Sequence, residues 1–291
     1  MGLYAVVKGI TAHPLNQGAK LEALFRFARW QIASRLMRAP VVVPFVDDSK
    51  LLVASGMTGA TGNWYCGLLE PGEMAFVLHA LRAWELFADV GANVGAYTVL
   101  ASGGVGAASI AVEPVPSTFA SLQANLRLNN LTNVTALNCG LASIDGEIRF
   151  TTSLDCMNRV AREDDCGPTQ IVPVTTIDKI CEDRVPDIIK IDVEGYELPV
   201  LKGGIDTIAS PNLQAIIMET NGSGSRFGVD DHELFEIMHY NGFSPHVYDW
   251  RRRELLAAPA GARNTIFVRH SAELSAKCQS APRFKLVNGS I

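Results

Sequence analysis

The chain has 291 residues, 48% of them hydrophobic and 19% charged, with a formal net charge of -5 at neutral pH. So much apolar material supports a sizeable core and excludes a disordered chain, and the acidic balance argues against a protein that grips nucleic acid through a general basic field. Six cysteines (66, 139, 156, 166, 181 and 278) form no CxxC pair and no regular spacing, so neither a zinc site nor a disulfide framework is indicated.

The start, MGLYAVVKGITAHPL, lacks a basic segment followed by a long apolar one, and Val6 stands where an N-myristoylation signal needs Ser or Thr. The longest weakly polar run, 99–112, is too short and too glycine-rich to span a bilayer, so a cytoplasmic protein is expected. Residues 20–38 (KLEALFRFARWQIASRLMR) set Leu21, Leu24, Phe25, Ala28, Ile32 and Leu36 on one helical face, with arginines at 26, 29, 35 and 38 largely on the others. The expectation is that this basic amphipathic helix docks its apolar face on its own domain; the alternative is an anionic membrane. Segments 41–46 and 50–53 read as short strands, and residues 1–70 as an N-terminal cap. The stretch 58–74 (TGATGNWYCGLLEPGEM) reads as a loop that either faces a ligand or buries its aromatics.

A helix over 74–83 then leads into alternating strands and helices, the pattern of a doubly wound α/β domain over 71–270. Strands are expected at 85–90, 109–113, 134–138, 187–191, 215–220, 243–248 and 264–269, with a helix at 116–129 opening on Pro116. Segments 146–153 and 170–177 look extended and flank an irregular polar stretch, 154–169, placed to lie over a site. Residues 271–291 form a tail without a motif.

The most informative stretch is WELFADVGANVGAYTVL, an apolar strand running into a glycine-bearing turn and then a helix. The pattern is DxGxNxG, with Asn93 where a dinucleotide fingerprint needs a glycine to approach a pyrophosphate. That suits a ligand with a charged amino-acid end and no phosphates, and S-adenosylmethionine is such a ligand. Asp89 or nearby backbone would take its ammonium and the amides of the turn its carboxylate. Glu113 ends the second strand 22 residues after Gly91, where a carboxylate can accept hydrogen bonds from both hydroxyls of a ribose. A second constellation follows the fourth strand, where DIIKIDVEGYELPVLKGG puts Asp192, Glu194 and Gly195 at the ligand-binding edge of the sheet. Asp192 or Glu194 would take the proton of an acceptor hydroxyl or orient it, while Glu194 has the alternative of capping the next helix. Glu219 and Asn221 end the fifth strand as further acceptor-side candidates. His232, His239 and His246 recur every seven residues but straddle a helix and a strand, so no metal is assigned.

Taken together, FADVGANVGAYT, AVEPVPSTFASLQANLRLNN, IIKIDVEGYELPVLKGG and the late NTIFV resemble the FkbM-type S-adenosylmethionine-dependent methyltransferases over about residues 60–270. The resemblance implies a Rossmann-like class I methyltransferase fold with a seven-stranded, mostly parallel sheet whose last strand is antiparallel, plus the N-terminal cap. It also implies O-methylation of a hydroxyl on a sugar, glycan or secondary metabolite. By position, Asp89, Gly91, Ala92, Asn93, Gly95, Tyr97, Glu113 and Pro114 would bind the cofactor, with Asn138 near the adenine and Asp192 and Glu194 near the methyl. The segment NCGLAS departs from the turn usual in relatives, which leaves the adenine contacts less defined. Two other readings stay open: an RNA methyltransferase, which lacks support from any appended RNA-binding module, and a catalytically silent cofactor-binding scaffold.

Overall fold

The computed structural model describes residues 2–37, 39–152, 158–162, 165 and 167–291. Helices α1 (Leu3–Ala12) and α2 (Lys20–Leu36), the hairpin of β1 (Val41–Pro44) and β2 (Lys50–Val53), and helices α3 (Thr58–Cys66) and α4 (Pro71–Ala80) come first. Then follow β3 (Leu86–Val90), α5 (Ala96–Val99) with a π-helical turn over Leu100–Val105, β4 (Ala108–Val112), α6 (Pro116–Leu128) and β5 (Val134–Leu137). A small sheet of β6 (Gly140–Leu141), β7 (Gly146–Thr151) and β8 (Thr169–Thr175) interrupts the alternation. It resumes with α7 (Ile177–Ile180), β9 (Ile188–Ile191), α8 (Glu197–Lys202), α9 (Ile205–Ala209), β10 (Ala215–Glu219), α10 (Asp231–Tyr240) and β11 (Ser244–Asp249). The chain closes through β12 (Glu254–Ala257), β13 (Asn264–Val268), α11 (Ser271–Gln279), β14 (Lys285–Leu286) and β15 (Gly289–Ser290).

The main sheet runs β12-β11-β13-β10-β9-β3-β4-β5. Pairs among β10, β9, β3, β4 and β5 are parallel, while β13 lies antiparallel to both β10 and β11. This is the class I methyltransferase topology, with one strand more than expected. The extra strand, β12, pairs with β11 across a turn that holds three consecutive arginines, and their polarity hid the hairpin. Strands β3 and β9 are buried at every position, as central parallel strands flanked by helices must be. Because β4 lies on one side of β3 and β9 on the other, the strand order reverses at β3, and a crevice opens beyond the carboxyl ends of these three strands.

Two expectations about the first 80 residues fail. The stretch 58–74 is α3 and the start of α4 rather than a loop; Gly59 and Gly62 disguise the helix. Helix α2 buries the opposite face from the one its hydropathy marks. Ala23, Arg26, Phe27 and Trp30 point inward, while Leu21, Phe25, Ile32 and Leu36 are 83%, 63%, 62% and 78% exposed. The reason is Arg26, whose guanidinium donates to the Tyr65 carbonyl at 2.9 Å while Phe27 packs edge-on against the Tyr65 ring. A buried arginine satisfied by a carbonyl counts as polar in any periodicity argument and so points that argument the wrong way. Among the described residues no helix is long and apolar enough to cross a membrane.

The cap and the sheet share one apolar cluster that runs from Ile10 through Leu51 and Phe76 to Ile217. Polar staples fix the register. Asn125 of α6, fully buried, donates to the Val94 carbonyl at 2.8 Å and accepts from the Leu52 amide at 2.7 Å, tying the β2 edge to the turn after β3. Asn288 near the C-terminus donates to the Cys66 carbonyl and to Asn16 Oδ1. Replacing Asn125 with Ala is expected to strand the buried Val94 carbonyl and the half-buried Leu52 amide and to lower unfolding stability by about 2–4 kcal/mol in urea titrations. A loss under about 0.5 kcal/mol would mean the hairpin is not anchored there.

Candidate active site

The turn after β3 is built by close approach. Gly91 takes φ 80°, and a Cβ there would stand 2.0 Å from the Asp192 carbonyl oxygen, so only glycine lets the β3 and β9 turns pass each other. Asn93 takes φ 52° and its side chain accepts from the Val94 amide at 2.7 Å. Contrary to the sequence expectation, the turn offers no spare amides. Gly91 and Ala92 donate to the Val112 carbonyl, Asn93 to Glu113 and Gly95 to the Ala92 carbonyl. The tight curvature itself consumes them.

Glu113 sits just past β4, 6% exposed, with Oε2 accepting from the Asn93 amide at 3.0 Å and Oε1 from the Val115 amide at 2.9 Å. Burial pushes its pKa up to about 7, against the pull of those two amides. Asp89, next to last in β3, is almost fully buried; its Oδ2 accepts from the Thr98 hydroxyl at 2.6 Å and its Oδ1 has no partner. Burial raises its pKa too, while Lys190 works in the other direction. Asn138, expected near an adenine, instead donates to the Glu113 and Pro114 carbonyls at 2.8 and 3.1 Å and braces that turn from behind. The cavity wall there is Gly140 and Leu141.

These groups line a cavity of about 240 Å³ that also takes in Asp89, Pro114, Tyr97, Asp192, Glu194 and Glu219. Asn63, Glu70 and Met74 of the 58–74 stretch face it as well. Asn158 is its contribution from the 154–169 stretch, whose residues 154–157, 163, 164 and 166 lie outside the described ones. Glu194 takes φ 54° in the turn after β9 and does not cap α8, whose N-terminus has no side-chain cap; Glu197 accepts from the Gly195 amide, ahead of the helix, at 3.1 Å. Asn221 is exposed and accepts from the Ser223 amide, away from the cavity wall.

The residue that sequence reasoning missed is Lys190. It lies in β9, buried, with Nζ 2.7 Å from Asp192 Oδ2 and 4.6 Å from the centroid of the Tyr97 ring. Burial works against its charge, but Asp192, Glu70 and Asp89 outweigh it and raise its pKa, so the ammonium persists. The Tyr97 hydroxyl in turn donates to Glu70 at 2.7 Å, and Glu70 accepts from Asn264 at 3.3 Å. Lys190 is the one basic side chain among the described residues that line the cavity, against five carboxylates besides Glu113. The signal was available: a single charge inside the apolar strand IIKI has to meet a partner. Glu219, across the cavity, has an Oε2 with no partner and a pKa raised to about 7 by burial and by Asp192, Glu194 and Glu197.

Glu113, Glu197 and Glu219 thus titrate near 7 in the fold and near 4.5 in the unfolded chain. The native state keeps protons that the unfolded chain has lost, so stability is highest at the acid end of that interval and falls as pH rises through 7. In Lys190→Met the carboxylates lose their counter-charge, and the expected loss is about 3–5 kcal/mol near pH 8 and clearly less near pH 5.5. Urea titrations at the two pH values check this; an equal loss at both would show that Lys190 does not balance these acids.

A family model, the methyltransferase FkbM domain, matches residues 89–245. Hexuronic acid methyltransferase AglP of Haloferax volcanii is 30% identical over 187 residues, 64% of this chain and 74% of that protein. Methyltransferase 1 of Beauveria bassiana is 28% identical over 140 residues, 40% of this chain and 56% of its own. Among solved structures, the FkbM methyltransferase of Methylobacillus flagellatus KT aligns at 18% identity and a TM-score of 0.44, over 65% of this chain and 44% of that one. With the domain model covering more than half of its length, the chain belongs to the FkbM methyltransferase family.

Proposed function

We propose that this protein is an S-adenosylmethionine-dependent O-methyltransferase whose acceptor is a hydroxyl of a sugar or glycan. The observation that carries the reading is that one cavity holds both an amide-oriented Glu113 and, opposite it, the Asp192–Lys190 pair with Glu219. The residues fit the cofactor. Each oxygen of Glu113 is engaged by a single amide and keeps a lone pair for a ribose hydroxyl. Asp89 Oδ1 is a buried acceptor without a partner, which suits an ammonium, and the acidic lining suits a cationic ligand. S-adenosylmethionine brings to such a site an electrophilic methyl on a positively charged sulfur.

The chain's own residues then have separate tasks. The acceptor oxygen must give up its proton as it takes the methyl, and a base works best when its pKa lies near the working pH. Glu219, with its unpartnered Oε2 and a pKa near 7, meets that condition. Asp192, fixed through Oδ2 by Lys190, presents its other oxygen to orient the hydroxyl. Glu194, held by its left-handed backbone at the mouth, lies in the field of Arg226 and Arg159. Arg159 is paired with Asp165, which leaves Arg226, together with the AglP likeness, to put uronic acids first among acceptors to test.

Calorimetric titration with S-adenosylmethionine is the primary test. Glu113→Ala should weaken binding by about 1.5–3 kcal/mol; unchanged affinity would remove Glu113 from the cofactor, and no binding to the wild type would sink the proposal. Acceptor turnover separates the other roles. Asp192→Asn should lower transfer more than cofactor affinity. Activity should rise with pH along a limb at or below about 7, since a bound cation lowers a neighbouring acid's pKa, and Glu219→Gln should abolish that limb. A limb that survives in Glu219→Gln assigns the proton to another group.

A further inference from the structure

We propose that the exposed face of α2 docks on an anionic phospholipid surface. Leu21, Phe25, Ile32 and Leu36 all point to solvent, and on a helix of 100° per residue they fall within about a 60° arc, a single stripe along the axis. Arg29 borders this stripe on one side and Arg35 on the other, both exposed. Arg29 lies with its guanidinium 5.8 Å from the centroid of the Phe25 ring, and Arg35 reaches back to Gln31 Oε1 at 3.1 Å. An apolar ridge fringed on both flanks by guanidiniums is the arrangement in which side chains enter the acyl boundary while their neighbours meet lipid phosphates.

Charge supports the same partner. The first 37 residues carry five basic side chains and one acid, Glu22, in a chain whose net charge is -5. The positive potential is therefore local to this corner of an acidic protein, as an anionic surface requires and as a general attraction to acidic macromolecules does not. Size argues against a second copy of this chain. The stripe is roughly 23 Å long and less than 10 Å wide, far below the roughly 800 Å² per partner of a stable interface. A coiled-coil seam started at Leu21 and Phe25 would continue through Ala28, Ile32 and Arg35, so it would last only two heptads and bring Ala28 and Arg35 into the seam while leaving Leu36 out. Docking here would leave α3, which packs against α2 and lends Asn63 to the cavity, behind α2 from the lipid surface.

Co-sedimentation with sucrose-loaded vesicles tests this on the full chain, using phosphatidylcholine alone and phosphatidylcholine with about one quarter phosphatidylglycerol. The expected result is binding to the anionic vesicles only, weakened by about 0.5 M salt through screening. The double variant Phe25→Glu and Ile32→Glu should lose binding, and Arg29→Glu with Arg35→Glu should weaken it about tenfold or more. Unchanged thermal melting and circular dichroism confirm that both variants fold, as expected for exposed positions. Vesicle binding that the first double variant retains overturns the proposal, as does no binding by the wild type. A wild-type dimer in light scattering that this variant converts to monomer, without vesicle binding, assigns the stripe to self-association instead.

Discussion

The buried ammonium of Lys190 is the constraint on which the rest of the site depends. Five carboxylates besides Glu113 line one cavity of about 240 Å³, and two of them, Asp89 and Glu219, each carry an oxygen with no protein partner. Without a cation at the centre, such a cluster would either hold protons throughout or force the strands apart. Lys190 sits where it serves several at once: paired to Asp192, over the Tyr97 ring, and within the field of Glu70 and Asp89. The same position keeps the cavity net negative, because one positive charge cannot neutralise its whole lining. The balance leaves a site that is foldable alone and most favourable when a cationic ligand fills it.

Around that charge the backbone is set in two strained turns that brace each other. Asn93 after β3 and Glu194 after β9 both take left-handed conformations that side chains other than glycine rarely adopt. Each turn also carries a glycine with no room for a Cβ: Gly91 against the Asp192 carbonyl and Gly195 against the Ser223 carbonyl. The turns after β3 and β9 are therefore in direct contact, and their relative placement is fixed to within the space of one methyl group. Such contact is useful where transfer needs two reactants aligned at close range.

Legibility differed sharply between the two halves of the chain. The strands of the main sheet other than β12, and helix α6, lie within a residue or two of where periodicity and turn residues put them, because the central strands are buried on both faces and read as unbroken apolar runs. The place of Glu113 just past a strand end and the tight glycine turn facing it were legible for the same reason: both positions derive from local geometry. The direction of the Asn138 side chain, which turns back to the Glu113 and Pro114 carbonyls, was not legible, because the neighbouring strand sets it. The cap resisted most, with α3 disguised by its glycines and α2 turned over by the satisfied guanidinium of Arg26.

By itself the sequence determined the order of the sheet's elements, the crevice at the strand ends and the two turns that edge it, because these rest on periodicities and backbone preferences spanning a few residues. Only the tertiary structure decided which carboxylates share Lys190, which face of α2 is left uncovered and which amides the turn after β3 keeps for itself. Glu70, Tyr97, Lys190, Glu219 and Asn264 stand far apart along the chain and meet only when the sheet closes around them. Their charges have meaning for one another only at that distance, and no local pattern records a distance that folding alone creates.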